Sequence, residues 1–389
     1  MATSLKHPAK VAALLASTIV LCVATAEVTV RLLYGQRFGP RPRFYEADDR
    51  LGWKPAPRLH HDFYGSDFSM KIRTDEDGYR LGELGEVDYA KDLVILCGDS
   101  YAFGWGVSTE ESFASHLDKS LSDASDGRVR LVNLGVGGYG ILQSCDRLDD
   151  FFRRHAGARV RLVLSQHSIN DATDNYRAIG YHLGLWKTEN VESKRSAFHL
   201  VNLCRYLLLT RASADAPPTD ENAGDPYAQD LLWSYRRTGD IVWYPKRVTI
   251  GMRTLTFDTA TLKSDFSPDS LLQRRELVPI QRDLMFESLN CMHAAAKSQG
   301  AVVVHTFIAT TPDWYVREVA DLVRQSANFV QCPVAITRAM PPLSEFAGPT
   351  KNAHSGGHFN AAFNQFWAEK MGEYLIETQS AAVGVSKTN

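Results

Sequence analysis

The chain contains Val94-Ile95-Leu96-Cys97-Gly98-Asp99-Ser100, a short apolar run that ends abruptly in a turn of small residues. A short apolar run bounded by turn residues predicts a buried strand. If this strand belongs to an α/β sheet, Ser100 stands just past its carboxyl end, where open α/β sheets bind their ligands. Glycines follow the serine, and they leave room for a substrate to approach the backbone. The alternative is that Ser100 only turns the chain or caps a helix, as Gly-Asp-Ser sequences often do.

Three more motifs of small and polar residues follow in the sequence. Asn133–Gly140 comes after the strand-like run Arg130–Val132, and Ser168–Asp171 comes after the run Leu162–Ser165. The third, Gly356-Gly357-His358-Phe359-Asn360, precedes an amphipathic helical pattern that closes the chain. Strand-like and helical runs alternate between these motifs, which predicts a parallel sheet with crossover helices.

The four motifs, in this order, resemble those of the SGNH hydrolases, also called the GDSL esterase/lipase family. The resemblance covers residues 93–374, interrupted by a long insertion, and the stretch at 44–80 resembles the lead-in of membrane-anchored bacterial members. It implies an α/β fold of the flavodoxin-like type, with three α/β/α layers around a central parallel sheet. It also implies a serine esterase that forms an acyl-enzyme on Ser100, with His358 as the base. The backbone amides of Ser100 and Gly138 and the side-chain amide of Asn170 would then bind the oxyanion.

Elementary chemistry agrees with these implied roles. A serine hydroxyl is a weak nucleophile and needs an adjacent base to take its proton. Among 12 histidines, the glycine-rich context at a helix start favours His358 over His167 and His305. An asparagine amide donates a hydrogen bond without introducing a titrating charge. The alternatives are that Gly138 is one turn glycine among several and that Asn170 forms an Asx turn or a helix cap.

One position departs from the family pattern. The family usually has an aspartate three residues before the histidine, where this chain has Ser355. That aspartate would orient the imidazole and stabilise the imidazolium. Three explanations remain open: a Ser–His dyad with a backbone carbonyl in place of the carboxylate, a substitute carboxylate such as Asp313, or an inactive protein.

Composition excludes several other classes of function. The chain has 389 residues and a net charge of −2, so it offers no basic surplus for binding nucleic acid. It contains no P-loop, no His-Glu-x-x-His and no Asp-rich calcium loop, and we expect no cofactor and no metal. The six cysteines show no Cys-x-x-Cys spacing. An exported protein could pair some of them, but their spacing does not indicate which.

The N-terminal segment predicts a membrane anchor. Lys6 and Lys10 precede an uncharged run at 11–26, whose length falls between that of a signal-peptide core and a full membrane span. Ala24-Thr25-Ala26 fits a signal-peptide cleavage site, but apolar residues continue to Tyr34, which favours an uncleaved anchor. The remaining alternative is a buried helix of a soluble protein. Positive charge before the apolar run predicts a single-pass inner-membrane protein whose catalytic domain faces the periplasm.

The predicted domain organisation has four parts. Residues 1–35 are the anchor or signal segment, and residues 36–92 are an extended lead-in of short strands that packs on the catalytic domain. Residues 93–378 form the catalytic domain, and residues 379–389 are a flexible tail. The regular pattern is lost after Asn170, and an irregular insertion is predicted at about 179–269. Its aromatic residues offer a hypothetical stacking surface for sugars.

The resemblance and the anchor together indicate an ester substrate in the cell envelope, most simply an O-acetyl or other short acyl group on a carbohydrate. The expected partners are therefore an ester-bearing small molecule or polysaccharide and the membrane. One alternative is an O-acetyltransferase that uses the same Ser–His pair with a sugar hydroxyl as acceptor. The other is a non-catalytic glycan-binding or assembly protein that kept the fold.

Overall fold

A computed structural model describes residues 8–39, 42–64, 69–184, 187–190, 196–214, 235–238, 247–250, 253–256, 273, 275–338 and 358–384. All structural statements below concern these residues. The predictions for Ser355, for most aromatic residues of the insertion and for the end of the tail lie outside them.

Strands and helices alternate along most of the described chain. The strands are β1 (Tyr45–Asp48), β2 (Gly52–Pro55), β3 (His60–Tyr64), β4 (Ser69–Arg73), β5 (Asp92–Cys97), β6 (Val129–Asn133), β7 (Arg159–His167), β8 (Lys187–Asn190), β9 (Tyr235–Thr238), β10 (Arg247–Ile250), β11 (Arg253–Thr256), β12 (Val302–Phe307) and β13 (Val334–Thr337). The helices are α1 (Pro8–Phe38), α2 (Ser100–Phe103), α3 (Phe113–Ala124), α4 (Ile141–Arg154), α5 (Asp171–His182), α6 (His199–Ala214), α7 (Pro279–Ser298), α8 (Asp313–Val330) and α9 (Ala361–Thr378), with a 3₁₀ turn at Thr109–Glu111.

A five-stranded parallel sheet forms the centre of the region that follows the lead-in. Its strand order is β13-β12-β7-β5-β6, and every neighbouring pair is parallel. The chain moves outward from β5 to β6 and then crosses to β7 on the other side, so the order reverses between β5 and β7. This is the flavodoxin-like order, in which ligands bind at the carboxyl ends of the strands beside the reversal. Ser100 follows β5 and Asn170 follows β7, so both stand at this point.

Alternating side chains of the strands bury both faces of the sheet, as in three-layer α/β/α folds. Leu93 and Ile95 of β5 pack in a cluster with α4, α7 and α8. Val94 and Leu96 of the same strand pack on the other face with α3 and α9. A disulfide between Cys145 and Cys291 joins α4 to α7 on the first face.

The lead-in consists of two antiparallel hairpins, β1–β2 and β3–β4. Its aromatic side chains are buried in one cluster with side chains of the region that contains the central sheet. Phe44 and Trp53 of the lead-in share this cluster with Phe103 and Tyr139. The lead-in therefore covers the turns that follow β5 and β6.

The prediction that regular structure is lost after Asn170 was wrong for the described part of the insertion. Helix α5 begins directly after Asn170, and helix α6 and the hairpins β8–β9 and β10–β11 lie in the insertion. In α5 the polar residues Asp171 and Asp174 are buried together with the apolar Ile179. Because both faces of α5 are buried, its sequence lacks the apolar periodicity of an amphipathic helix.

Helix α1 is long and apolar enough to cross a bilayer. The span Ala9–Gly35 has a mean hydropathy of 2.1, and its most apolar window is fully exposed. A bilayer core about 30 Å thick needs about 20 helical residues. A signal sequence meets the same criteria, so this helix alone does not distinguish an anchor from a cleaved segment.

Candidate active site

Ser100 and His358 are in direct contact, although 258 positions separate them. The Nε2 atom of His358 lies 2.7 Å from the Oγ atom of Ser100, and both residues are half-buried. Ser100 is the first residue of α2, and the carboxylate of Asp99 caps this helix by accepting from the amide of Tyr101. A first helical residue has no intrahelical partner for its own N–H, so the Ser100 amide is suited to bind an anion.

The turn after Ser100 is held by Arg80, which the sequence analysis missed. Its guanidinium donates to the carbonyls of Phe103, Gly104 and Val107 at 2.6–2.7 Å. Gly104 ends α2 with a positive φ of 84°, and a Cβ there would approach the Cβ of Ser112 to 2.8 Å. Burial lowers the pKa of Arg80 to about 9, which keeps the side chain cationic at neutral pH. No local pattern marks Arg80, because its partners are backbone atoms of a distant turn.

The imidazole of His358 is placed by the start of α9 and by a neighbouring aromatic ring. Asn360 caps α9 by accepting from the amide of Phe363, and Phe359 is buried beneath it. The ring of Tyr101 lies 4.8 Å from the imidazole, with an interplanar angle of 33°. These contacts hold the imidazole ring and the segment that follows the histidine.

The proposed substitute carboxylate, Asp313, has a partner of its own. Its side chain is exposed and accepts a 2.7 Å hydrogen bond from Arg338. That hydrogen bond holds the pKa of Asp313 below its usual range. Position 355 lies outside the described residues. Which group orients the second nitrogen of His358 therefore stays a prediction.

The glycine turn after β6 stands beside Ser100. A Cβ built on Gly137 would lie 3.8 Å from the Cβ of Ser100. The carbonyl of Gly137 accepts from the indole of Trp53 at 3.1 Å, and the hydroxyl of Tyr45 lies against the same glycine. The next residue, Gly138, has a φ of 79°, and its amide meets no acceptor among the described residues. This arrangement favours Gly138 over Gly137 as an oxyanion donor.

The side-chain amide of Asn170 faces two carboxylates. Its Nδ2 atom lies 3.2 Å from Asp99 and 2.8 Å from Asp174. An amide nitrogen has two hydrogens, so both are directed at carboxylate oxygens in this state. Contact with an oxyanion would require one of them to turn away, and the bond to Asp99 is the longer of the two. The position beside Asp99 nevertheless brings Asn170 next to the residue that precedes Ser100.

Three buried histidines form a hydrogen-bonded chain behind the sheet edge. The Nε2 atom of His167 lies 2.8 Å from Nδ1 of His305, whose Nε2 lies 2.8 Å from Nε2 of His293. The chain ends at the hydroxyl of Ser326, 2.7 Å from His293, and its other end lies 3.4 Å from Asp171. The sequence ranked His167 and His305 below His358, and they bond to each other instead of to Ser100.

Burial shifts the titration of these groups toward their neutral forms. It lowers the pKa of His167 to about 3 and that of His293 to about 4, and the pKa of His305 is also lowered. Burial raises the pKa of Asp171 well above its ordinary value, and the nearby charge of Asp99 raises it further. The chain is therefore a set of neutral imidazoles at physiological pH.

Comparisons with known proteins give only distant structural likeness. No protein-family model and no curated protein matches this chain. Among solved structures, a psychrotrophic esterase from Pseudoalteromonas sp. is 9% identical, with a TM-score of 0.37 over 74% of this chain and 98% of that chain. A lipase/acylhydrolase from Enterococcus faecalis is 10% identical, with a TM-score of 0.35 over 73% and 95%. A catalytic mutant of an acetylxylan esterase from Geobacillus stearothermophilus is 12% identical, with a TM-score of 0.34 over 76% and 95%.

Proposed function

We propose that this chain is a serine esterase of the SGNH type, with Ser100 as nucleophile and His358 as general base. The observation that supports this most is the 2.7 Å contact between His358 Nε2 and Ser100 Oγ at the carboxyl end of β5. A nucleophile within hydrogen-bond reach of a base, at the reversal of strand order, is the arrangement that acyl transfer requires.

The reaction uses the Ser–His pair twice. Nε2 of His358 accepts the hydroxyl proton as Oγ of Ser100 attacks the ester carbonyl carbon, and the carbonyl oxygen becomes an oxyanion. The imidazolium then gives that proton to the leaving alkoxide as the ester C–O bond breaks. In the second half, His358 takes a proton from water as the water oxygen attacks the acyl carbon. The imidazolium then returns that proton to Oγ of Ser100 as the acyl–Oγ bond breaks, which releases the acid and restores both residues.

The oxyanion would lie between the backbone amides of Ser100 and Gly138, with Asn170 as a third donor. Each preorganised donor of this kind typically contributes roughly 10²–10³ in rate. The Ser100 amide begins α2, and the Gly138 amide belongs to the turn that Trp53 and Tyr45 fix through Gly137. Both donors therefore sit on backbone that other residues hold in place.

The substrate we infer is a short acyl ester, such as an O-acetyl group, on a carbohydrate of the cell envelope. The exposed apolar helix α1 and the positive charge before it support an inner-membrane anchor with the catalytic domain in the periplasm. The disulfide between Cys145 and Cys291 agrees with that compartment, because disulfides persist outside the reducing cytoplasm. A periplasmic enzyme held at the membrane meets envelope polysaccharides and their precursors.

Active-site labelling tests the Ser–His pair directly. The full chain, purified in detergent, is treated with a fluorophosphonate, and the modified peptide is identified by mass spectrometry. We expect an adduct on Ser100 that is lost in Ser100→Ala and strongly reduced in His358→Ala. Ser298→Ala, which removes an exposed hydroxyl, should keep the label. Absence of an adduct in chain shown to be folded by its near-ultraviolet circular dichroism would contradict the proposal and favour a non-catalytic binding protein.

Product analysis separates hydrolysis from transfer. The full chain, not treated with fluorophosphonate, is incubated with p-nitrophenyl acetate, with and without an oligosaccharide acceptor. Release of acetate at the same rate in both samples supports an esterase. Acetyl groups recovered on the oligosaccharide, at the expense of free acetate, would identify an O-acetyltransferase that uses the same pair.

A further inference from the structure

Helix α6 belongs to the insertion of the catalytic domain, yet it packs on α1. The carboxylate of Glu27 on α1 accepts from the first two amides of α6, those of His199 and Leu200, at 2.9 and 2.8 Å. The side chain of Asn202 donates to the carbonyl of Phe38 at 2.7 Å. A carboxylate at a helix N-terminus accepts hydrogen bonds from amides that have no partner within the helix. Its negative charge also interacts favourably with the positive end of the helix dipole. These contacts fix the start of α6 to the end of α1.

The contact lies at the level where α1 would leave a bilayer. A helix rises 1.5 Å per residue, so a span that begins after Lys10 crosses about 30 Å of hydrocarbon by Val30. Glu27 and Arg31, an ion pair at 2.6 Å, stand at this boundary. Helix α6 therefore starts at the interface between the hydrocarbon and the headgroups.

The two sides of α6 are both apolar, but only one is covered. Leu200, Leu203 and Tyr206 pack against α1 in a cluster with Val30 and Phe38. The other side is an exposed stripe of apolar side chains, which we call the α6 stripe. It comprises Phe198, Val201, Cys204, Leu207 and Leu208, of which Phe198 and Leu208 are 60% and 69% exposed.

An exposed stripe of this kind is unusual on a protein surface that faces water. Single exposed apolar residues are common, whereas contiguous apolar patches mark contacts with proteins or membranes. Here the stripe adjoins the exposed apolar surface of α1, where Val28, Leu32 and Leu33 are more than half exposed. Arg205 lies beside the stripe, and a long arginine side chain can extend from an apolar layer to lipid phosphates.

We propose that α6 is an interfacial membrane helix, whose stripe inserts into the outer leaflet of the bilayer that α1 crosses. This inference rests on the membrane anchor of the proposed function. Lipid is what covers the α6 stripe, because the stripe is continuous with the surface by which α1 would contact lipid. Since α5, β8 and α6 follow the Asn170 turn in the chain, insertion of α6 fixes the catalytic domain at the membrane by a second contact.

Site-directed spin labelling tests the depth of α6. The full chain with Cys22→Ala is reconstituted in phosphatidylethanolamine/phosphatidylglycerol vesicles, and a nitroxide is attached to Cys204, since the other free thiols, Cys97 and Cys332, are buried. Accessibility to oxygen, which dissolves in lipid, is compared with accessibility to a water-soluble nickel chelate. Two control labels are placed by Leu15→Cys on α1 and by Asp321→Cys on the exposed side of α8, each with Cys204→Ala.

We expect the ratio of oxygen to nickel accessibility at Cys204 to be several-fold higher than at position 321. A ratio at Cys204 equal to that at position 321, with a lipid-like ratio at position 15, would overturn the inference and leave the anchor intact. A water-like ratio at position 15 would instead overturn the anchor itself. If Cys204 is protected from both reagents and dipolar broadening is seen between labels, the α6 stripe is covered by a second copy of the chain. That result would overturn the assignment of lipid.

Discussion

The indole nitrogen of Trp53 donates a 3.1 Å hydrogen bond to the carbonyl of Gly137. Trp53 belongs to the lead-in, whereas Gly137 belongs to the turn that would bind the oxyanion. A Cβ on the adjoining Gly138 would approach the same indole ring to 3.3 Å, so the ring lies against both glycines. The lead-in is therefore part of the support for the candidate active site.

Replacement of this indole should weaken catalysis more than binding. Trp53→Phe keeps an aromatic ring but removes the donor to Gly137, which leaves the turn less well fixed. A hydrogen bond of this kind contributes about 0.5–1.5 kcal/mol, so we expect kcat to fall about threefold to tenfold. Trp105→Phe, at another tryptophan that packs on Phe44, is the matched control. Steady-state kinetics with p-nitrophenyl acetate would contradict this role if both variants lost activity equally.

Arg80 should matter chiefly for the turn after the nucleophile. Arg80→Met keeps much of the buried volume but removes the donor to the carbonyls of Phe103, Gly104 and Val107, of which Gly104 keeps a 3.4 Å hydrogen bond from the amide of Val107. Each buried carbonyl left unpaired costs about 1–3 kcal/mol, so the loss at Phe103 and Val107 should lower the free energy of unfolding by about 2 kcal/mol or more. Denaturant unfolding in detergent, followed by tryptophan fluorescence, measures this loss.

The control for Arg80 is Arg58→Met. The Arg58 side chain is 78% exposed and pairs with a similarly exposed Glu76. Exposed pairs of this kind contribute little, so the variant should stay within about 0.5 kcal/mol of the unchanged chain. Equal losses in both variants would show that the three carbonyl contacts do not stabilise the turn.

Much of the sheet could be predicted from the sequence, because its strands are continuous apolar runs that end in turns. The run at Leu93–Leu96 forms most of β5, and the run at Ala301–Phe307 forms β12. Buried parallel strands have this pattern whatever surrounds them. Ser100 could be placed just past a strand end for the same reason, because this pattern depends only on residues that are neighbours in the sequence.

Other features could not be predicted, because they depend on partners far away in the sequence. Arg80 and Trp53 bind backbone carbonyls, and a carbonyl has no sequence signature. Helix α6 exposes apolar residues such as Leu208 on one side and buries others on α1, so its pattern is not that of an amphipathic helix. The pairing of Cys145 with Cys291 likewise follows from the packing of α4 on α7.

The histidine chain makes the fold sensitive to acid. His167, His293 and His305 have a lowered pKa in the folded state, so they stay neutral there but bind protons in the unfolded chain below about pH 6.5. Asp171 has a raised pKa and acts in the opposite direction, since it holds a proton only when folded. Below about pH 6.5 the unfolded chain therefore gains protons on these histidines that the folded chain does not, whereas the raised pKa of Asp171 opposes part of this difference. We expect the free energy of unfolding to fall as the pH drops from 6.5 towards 4, because the three histidines outnumber the one carboxyl.

Unfolding free energies measured from pH 7.5 to 4.5 test this decrease and give its slope. His293→Gln removes one titrating group and should lower the slope by about 1.4 kcal/mol per pH unit. Ser326→Ala removes the hydroxyl at the end of the chain but keeps all three histidines, so it should lower stability without changing the slope. A slope unchanged in His293→Gln would show that the chain does not control acid sensitivity.

Substitution of Asn170 tests whether its side-chain amide is a donor in catalysis or only a structural one. If its amide turns from Asp99 to the oxyanion, Asn170→Ala should lower kcat by roughly 10²–10³ and leave KM nearly unchanged, because the contact forms only in the transition state. If the amide serves only to link Asp99 to Asp174 by hydrogen bonds, Asn170→Ala should lower the free energy of unfolding. In that case kcat should fall no more than in a variant that removes another hydrogen bond to Asp99. Ser168→Ala is that variant, since the hydroxyl of Ser168 contacts both Asp99 and the Oδ1 atom of Asn170, and its loss leaves the Asn170 amide donor in place. Parallel kinetics and unfolding of the two variants separate these outcomes: a much larger loss of kcat in Asn170→Ala, at similar stability, identifies Asn170 as the third oxyanion donor.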